Sequence, residues 1–431
     1  MNILIQLGHP AHFHLYKNVA KNLIADGHRV LFVIKSKDIL ETLLQNAGLP
    51  YVNINQKTHR GSKWGVLWDM ITREWKLLWL CRKHKIDLLT GSTPDVAHVS
   101  WLLRKFGVNT GEDDAAAVPM FGKVAGAFVT CLLTPDCCDN GKMEDRSSKY
   151  PSYHELAYLH PNHFTPDPEV VRSYGIPVPS SPSQLSPFYP GSDSRLVPQV
   201  PNKSSINTQK EQVSSPDTPS QLVPQVPNNS SINAQKEQAK PYFILRFASL
   251  NAHHDSGIKG INTEIAQRLI DILAPHGTIY ITSERPLEPQ FEQYRIRINP
   301  LDMHHVMAFA SLYIGDSQTM AAEAGVLGVP FVRFNDFVGR IGYLRELEDT
   351  YHLGFGIKAS APGSVDQLCK RVQELVSLPA SERQSTFQSR RTTMLSDKID
   401  CAKFLTYFIE QYPQSVAETK AATPDFWSQF K

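Results

Sequence analysis

Twice along this chain, short apolar runs alternate with amphipathic runs of helical period, and glycine punctuates the changes. This alternation constrains the fold more than any other feature. Strands separated by helices cannot pair as hairpins, so they must lie side by side in a parallel, doubly wound α/β sheet. In the first series residues 2–7 read as a strand. Residues 13–25 read as a helix, with Leu15, Val19, Leu23 and Ile24 on one face. Gly27 stops that helix, 29–34 is a second strand, and 38–47 is a second helix ended by Gly48. Strands are also expected at 86–90, 107–110 and 127–133. In the second series the expected strands are 242–247, 278–282, 312–314 and 331–334, with helices at 262–273, 303–310 and 319–327. Two later runs, 364–376 and 402–411, also have helical period, with no signal of which domain they meet.

Between the two series the composition changes. Residues 177–238 hold 11 of the 30 prolines and are rich in Ser, Asn and Gln. Within them 196–212 returns at 222–238 with two substitutions, a tandem repeat of polar linker sequence. Such a stretch cannot bury a core and predicts a disordered insert, with recruitment of a partner as its alternative use. The chain therefore divides into a first Rossmann-like domain at 1–176, the insert at 177–240, and a second Rossmann-like domain with C-terminal helices at 241–431.

Composition excludes several classes. A net charge of +2 gives no field suited to nucleic acid. The six cysteines show no CxxC pair or disulfide-like spacing, which predicts reduced thiols in a cytoplasmic protein. No 18-residue apolar run spans a membrane, and the first strand lacks the basic flank of a signal peptide. Residues 64–82 stand apart: Trp64, Trp68, Ile71, Trp75, Leu78 and Trp79 recur at three- and four-residue spacing, with Lys63, Arg73, Lys76, Arg82 and Lys83 mostly elsewhere. This face either packs on the sheet or gives peripheral contact with an anionic membrane surface, the inner face of the cell membrane for a cytoplasmic protein.

The functional signal concentrates at 312–334, a strand, a Gly315-Asp316-Ser317 turn, an Ala-rich helix, a Gly328–Pro330 break and a second strand. A βαβ unit of this kind sets a helix N-terminus at the carboxyl end of a strand, where unpaired N–H groups and the helix dipole favour phosphate. Ser317 and Thr319 add hydroxyls, and Glu323, one turn on, suits a sugar hydroxyl pair. The bland alternative is one more crossover, with Asp316 a cap and Glu323 solvated. The first turn, Gly8-His9-Pro10-Ala11-His12, lacks GxGxxG, so no dinucleotide cofactor is expected. Glu112, Asp113 and Asp114 either cap a helix or supply a base to a cleft.

Four pieces in this order resemble the DUF354 family of glycosyltransferase-like proteins: Gly8-His-Pro-Ala-His12; 154–159 with 164–167; 244–247 with His254-Asp255; and 314–330. More distantly, Glu323 and the Gly328–Pro330 break resemble the donor-site helix of MurG-type transferases and of non-hydrolysing UDP-GlcNAc 2-epimerases, although Gln318-Thr319 stands where the latter tend to carry Gly-Gly. The resemblance implies a GT-B-like architecture, two Rossmann-like domains facing a cleft. It also implies a nucleotide-diphosphate sugar as substrate, a UDP-sugar favoured, used in cell-surface polysaccharide or glycoconjugate synthesis without metal or other cofactor.

In such a cleft His12 is the first candidate for the base and Asp114 the second. Gly8, His9, Arg246, His254, Ser283, Asp316, Ser317, Thr319 and Glu323 are the candidate substrate contacts. Arg246 would pair with phosphate, unless it pairs with a neighbouring acid. His253 and His254 are adjacent and so present phosphate or sugar contacts, or a solvated loop, rather than a metal site. An epimerase would instead use Glu112, Asp113 and Asp114 to remove and return a proton. A non-catalytic nucleotide-sugar-binding protein is the third reading.

Overall fold

In the computed structural model the described residues are 1–35, 38–55, 63–178, 240–248 and 259–431. All but the ends of the expected insert, with its tandem repeat, lies outside them, as do His253, His254 and Asp255. Strands β1 (Asn2–Leu7), β2 (Arg29–Lys35), β3 (Tyr51–Asn55), β4 (Leu88–Gly91), β5 (Phe106–Thr110), β6 (Leu132–Pro135) and β7 (Ser147–Tyr150) form one sheet, in the order β3-β2-β1-β4-β5-β6-β7. Strands β8 (Tyr242–Phe247), β9 (Thr278–Ser283), β10 (Leu312–Gly315), β11 (Phe331–Phe334) and β12 (Gly354–Ile357) form the second, in the order β12-β11-β10-β8-β9. Every pairing between these strands is parallel.

Parallel strands covered on both faces are apolar throughout rather than alternating. Ile3, Leu4, Ile5 and Leu7 of β1 are all buried, and so are Leu312, Tyr313 and Ile314 of β10. The helices that link the strands in the first half are α1 (Pro10–Ala25), α2 (Asp38–Asn46), α3 (Lys63–Lys83), α4 (Pro94–Leu103) and α5 (Pro119–Ala125), with α6 (Pro168–Ser173) beyond β7. In the second half they are α7 (Thr263–Leu273), α8 (Met303–Ala308) and α9 (Gln318–Val326). Then come α10 (Ser364–Ser377), α11 (Ala380–Asp397), α12 (Cys401–Glu410), α13 (Gln414–Lys420) and α14 (Pro424–Ser428).

Three strands, β3, β7 and β12, and the long helix α11 lack a sequence signal. The strands are sheet edges or short, and α11 buries polar side chains. Its Arg391 Nε donates to the Val326 carbonyl (2.8 Å) and Gln388 Nε2 to the Leu327 carbonyl (3.1 Å). These bonds satisfy carbonyls at the C-terminus of α9, where a cation also complements the helix dipole. The strand expected at 127–133 lies further on, at Leu132–Pro135, because 119–129 is taken up by α5 and the turn after it.

Met1–Val178 and Lys240–Lys431 form one compact unit, tied by reciprocal crossings. Helix α12 packs on α1, with Phe404 and Tyr150 ring centroids 5.2 Å apart, and Ser152 Oγ donates to the Ile399 carbonyl (2.6 Å). In the other direction α6 packs on α8, and the Asp167 N–H donates to His305 Nδ1 (2.9 Å). The C-terminal helices thus cover the first sheet.

Each sheet reverses its winding once, between β1 and β4 in the first and between β8 and β10 in the second. Loops diverge from such a point and leave a crevice at the strands' carboxyl ends.

Candidate functional site

A cavity of about 810 Å³ joins the two crevices. Gly8 and Ser92, after β1 and β4, line one side; Ala248 and Asp316, after β8 and β10, line the other. A Cβ on Gly8 would come within 3.1 Å of Thr93 Cγ2, so a larger residue there would have to push the two loops apart. The Gly8 N–H donates to His12 Nδ1 (3.2 Å), and His9 Nδ1 caps α1 by accepting from the Ala11 N–H (3.2 Å).

On the second-sheet side, Asp316 is buried and organises the turn. Its Oδ1 accepts from the Ala248 N–H (2.6 Å) and its Oδ2 from the Ile261 N–H (3.2 Å). Burial raises its pKa to about 6, against the pull of those bonds. Ser317 is the N-cap of α9 and accepts from the Met320 N–H (3.5 Å). Ser317, Gln318 and Thr319 line the cavity, with Gln318 Oε1 held by Asn335 Nδ2 (2.7 Å). This wall presents hydroxyls, an amide and the first turn of a helix, a setting that favours an anion.

On the first-sheet side the wall is titratable. Glu112 follows β5, and Glu155 lies in the short 3-10 turn His154–Ala157. Glu112 Oε1 accepts from the His154 N–H (2.7 Å), with His154 Nδ1 3.4 Å from its Oε2. The two carboxyl groups act on one another electrostatically. Burial, then mutual repulsion, raises Glu112 well above the usual carboxylate range, and burial raises Glu155 to about 8. Two buried carboxyls in contact cannot both ionise readily, so the pair retains a proton at neutral pH. Burial, with His12 nearby, lowers the pKa of His154 to about 3 and keeps its ring neutral. His154 Nε2 and Glu155 Oε2 are buried without a hydrogen-bond partner. Buried orphans of this kind mark a place where another molecule can bond.

The structure corrects several assignments made from sequence. His12 lines the cavity, but its Nδ1 already accepts a bond. The neutral ring then carries its proton on Nε2, so it is set to donate and becomes a base only by giving up that bond. Asp114 does not line the cavity. It accepts from the Asp139 N–H (2.9 Å) and from the Gly342 N–H, and so ties loops of the two halves together. Arg246 takes its bland alternative: Nη1 donates to Thr282 Oγ1 (2.9 Å) and Nη2 pairs with Glu284, which itself lines the cavity. Ser283 closes its own turn, donating to the Arg285 carbonyl (2.7 Å).

Glu323 faces inward, only 5% exposed. Its Oε1 accepts from Tyr158 Oη (2.8 Å) and His304 Nε2 (2.9 Å). Burial raises its pKa, but His304 outweighs that and the net shift is downward. Glu323 therefore joins the halves beneath the cavity, whose lining Tyr158 shares and Glu323 does not. Sequence reasoning missed Glu155, His154 and Tyr158; their one signal was the 154–159 run, whose residues do not themselves declare burial. It noted Gln318 without naming it a contact.

Among the described residues, Asp136, Cys137 and Glu346 bring potential metal-ligand atoms within 4.8 Å of one another. Lys398 Nζ lies 2.8 Å from Glu346 and 3.5 Å from Asp136, so an ammonium already neutralises that cluster.

No family model matches the chain, and no curated protein sequence matches it. Solved structures do. A Listeria monocytogenes protein assigned as a UDP-N-acetylglucosamine 2-epimerase matches with TM-score 0.56 at 10% identity, over 96% of each chain. A spinosyn forosaminyltransferase matches with TM-score 0.53 at 14% identity, over 97% of this chain and all of its own. A glycosyltransferase from Streptomyces sp. SF2575, complexed with thymidine diphosphate, matches with TM-score 0.51 at 13% identity, over 95% of this chain and 99% of its own. With its two parallel sheets, the chain has the two-domain GT-B fold.

Proposed function

We propose that this chain is a glycosyltransferase that takes its sugar from a nucleoside diphosphate, a UDP-sugar in the first instance, as a DUF354-type protein of polysaccharide or glycoconjugate synthesis working in the cytoplasm. One observation carries the reading: a single cavity joins an anion-favouring helix N-terminus, Ser317–Thr319, to a proton-holding carboxyl pair, Glu112 and Glu155. The acceptor hydroxyl attacks the anomeric carbon as the bond to the diphosphate breaks. The hydroxyl proton passes to the ionised member of the pair, and the diphosphate's charge meets the first turn of α9. His12, as a donor, adds to that stabilisation.

The carboxyl pair also favours a second reading, epimerisation of the sugar beside the anomeric carbon. One carboxylate removes the carbon-bound proton as the anomeric bond to the diphosphate breaks, and the diphosphate adds back as a proton is returned to the other face. Incubating a nucleotide sugar in deuterium oxide without acceptor separates the two. A transferase leaves the sugar unlabelled and turns over only with an acceptor; an epimerase incorporates deuterium. Calorimetric titration of UDP, GDP, CDP and thymidine diphosphate tests the site itself. One of them binds, and Ser317→Ala with Thr319→Ala weakens it; absence of binding by all four would remove both readings.

A further inference from the structure

Helix α3 has two apolar faces. One is accounted for: Leu77, Leu78, Leu80 and Cys81 are buried in a core cluster with Leu4, Val33 and Leu89 of the sheet. The other faces solvent. Trp68, Trp75 and Trp79 are 63%, 67% and 59% exposed. Their spacings of seven and four residues align them along one stripe of a helix roughly 30 Å long. The expectation that these tryptophans pack on the sheet therefore fails; the face splits, with Leu78 turned inward and the indoles outward. Helix α4 lies against α3 and ends in exposed Trp101 and Leu102. Single exposed apolar residues are ordinary, but aligned indoles continued onto a neighbouring helix are not.

Charge on this face is sorted by sign. Between 68 and 105 there are four acids, and three are held by partners within the protein. Glu74 bonds His98 Nδ1 (2.6 Å), Asp87 accepts from the Asn2 N–H (2.8 Å), and Asp95 is clamped by Arg73 (2.9 and 3.0 Å). The fourth, Asp69, is half-buried. Bases point out: Arg82 and Lys83 at the end of α3, Lys85 just beyond it, and Arg104 and Lys105 after α4 are exposed. Because β4 and β5 are parallel neighbours, both clusters fall at the same end of the sheet.

We propose that the α3–α4 face docks on the surface of an anionic lipid bilayer. Indole rings partition to the headgroup level, where an apolar body and a polar N–H are both satisfied, and lysine and arginine beside them pair with anionic headgroups. Contact is peripheral, since no helix among the described residues is long and apolar enough to cross a membrane.

The test is flotation of the full chain with vesicles of phosphatidylcholine alone or mixed equally with phosphatidylglycerol. Binding is expected to the mixed vesicles, weakened by salt, and to fall about tenfold or more in Trp68→Ser/Trp75→Ser/Trp79→Ser. Arg82→Gln/Lys83→Gln/Lys105→Gln is expected to flatten the salt dependence. Unchanged nucleotide binding checks that the variants fold. Should the triple tryptophan variant fail to fold, quenching of wild-type tryptophan emission by brominated acyl chains reads insertion directly. No flotation with mixed vesicles overturns the proposal. So does a wild-type dimer that the tryptophan substitutions convert to monomer, because that face would then be an interface between copies.

Discussion

At the carboxyl end of β10, Asp316 and Ser317 spend their side chains on backbone N–H groups and leave a rigid turn with a helix N-terminus facing the cavity. After β5 and β7, across the same cavity, Glu112, His154 and Glu155 spend theirs largely on one another, and the carboxyls hold a proton they would lose in water. Both walls come from strand–loop–helix units of one design. The difference teaches that the fold supplies the crevice twice over, and that the loops decide what each side does with it: one is suited to hold charge, the other to move a proton.

The strongest test of this division is Glu155→Gln, alone and with Glu112→Gln. Turnover is expected to fall about 10²- to 10⁴-fold, with nucleotide affinity nearly unchanged in calorimetry. Equal losses of binding and turnover would mean that the first-sheet wall holds the donor as well, and the division would collapse.

Next in size is Glu323→Ala, which leaves Tyr158 and His304 without their buried acceptor. A loss of about 2–4 kcal/mol in denaturant unfolding is expected, recovered in part by Glu323→Gln, which keeps an oxygen acceptor. A variant of full stability that fails only in nucleotide binding would restore Glu323 as a direct ligand contact.

The pH dependence of stability sharpens the comparison further. The folded pKa of Glu155, about 8, lies above its ordinary 4.5, so its contribution is complete below the lower value and is lost as pH rises through the higher. His14 and His154, both depressed from 6.5 to about 3, act in the opposite sense and cost stability as pH falls below 6.5. Melting temperature should therefore decline as pH rises from about 6.5 to about 8 in wild type and flatten over that alkaline limb in Glu155→Gln, while the acid limb stays. An unchanged alkaline limb in the variant would show that Glu155 is ionised in the folded state.

The smallest effect is expected from Ser317→Ala. Loss of the cap costs about 1 kcal/mol and weakens nucleotide binding several-fold, with turnover at saturation preserved. A large drop in saturated turnover would place chemistry on the second-sheet wall.

Locally encoded features were legible in the amino-acid order. The apolar runs of β1, β2, β8 and β9 and the glycine that ends α1 are set by neighbours a few residues away, and each lies within a residue or so of where periodicity places it. What the polar groups do was decided by the tertiary structure. Arg246 meets Glu284 38 residues on, Glu323 bonds Tyr158 165 residues back, and the Glu112 carboxyl accepts from the His154 N–H 42 residues further along. Periodicity reports which face of an element is dry. It carries no information on which distant group a buried carboxylate will find there, because that partner is chosen by tertiary packing, and burial with its partner is what determines whether the group binds, braces or holds a proton.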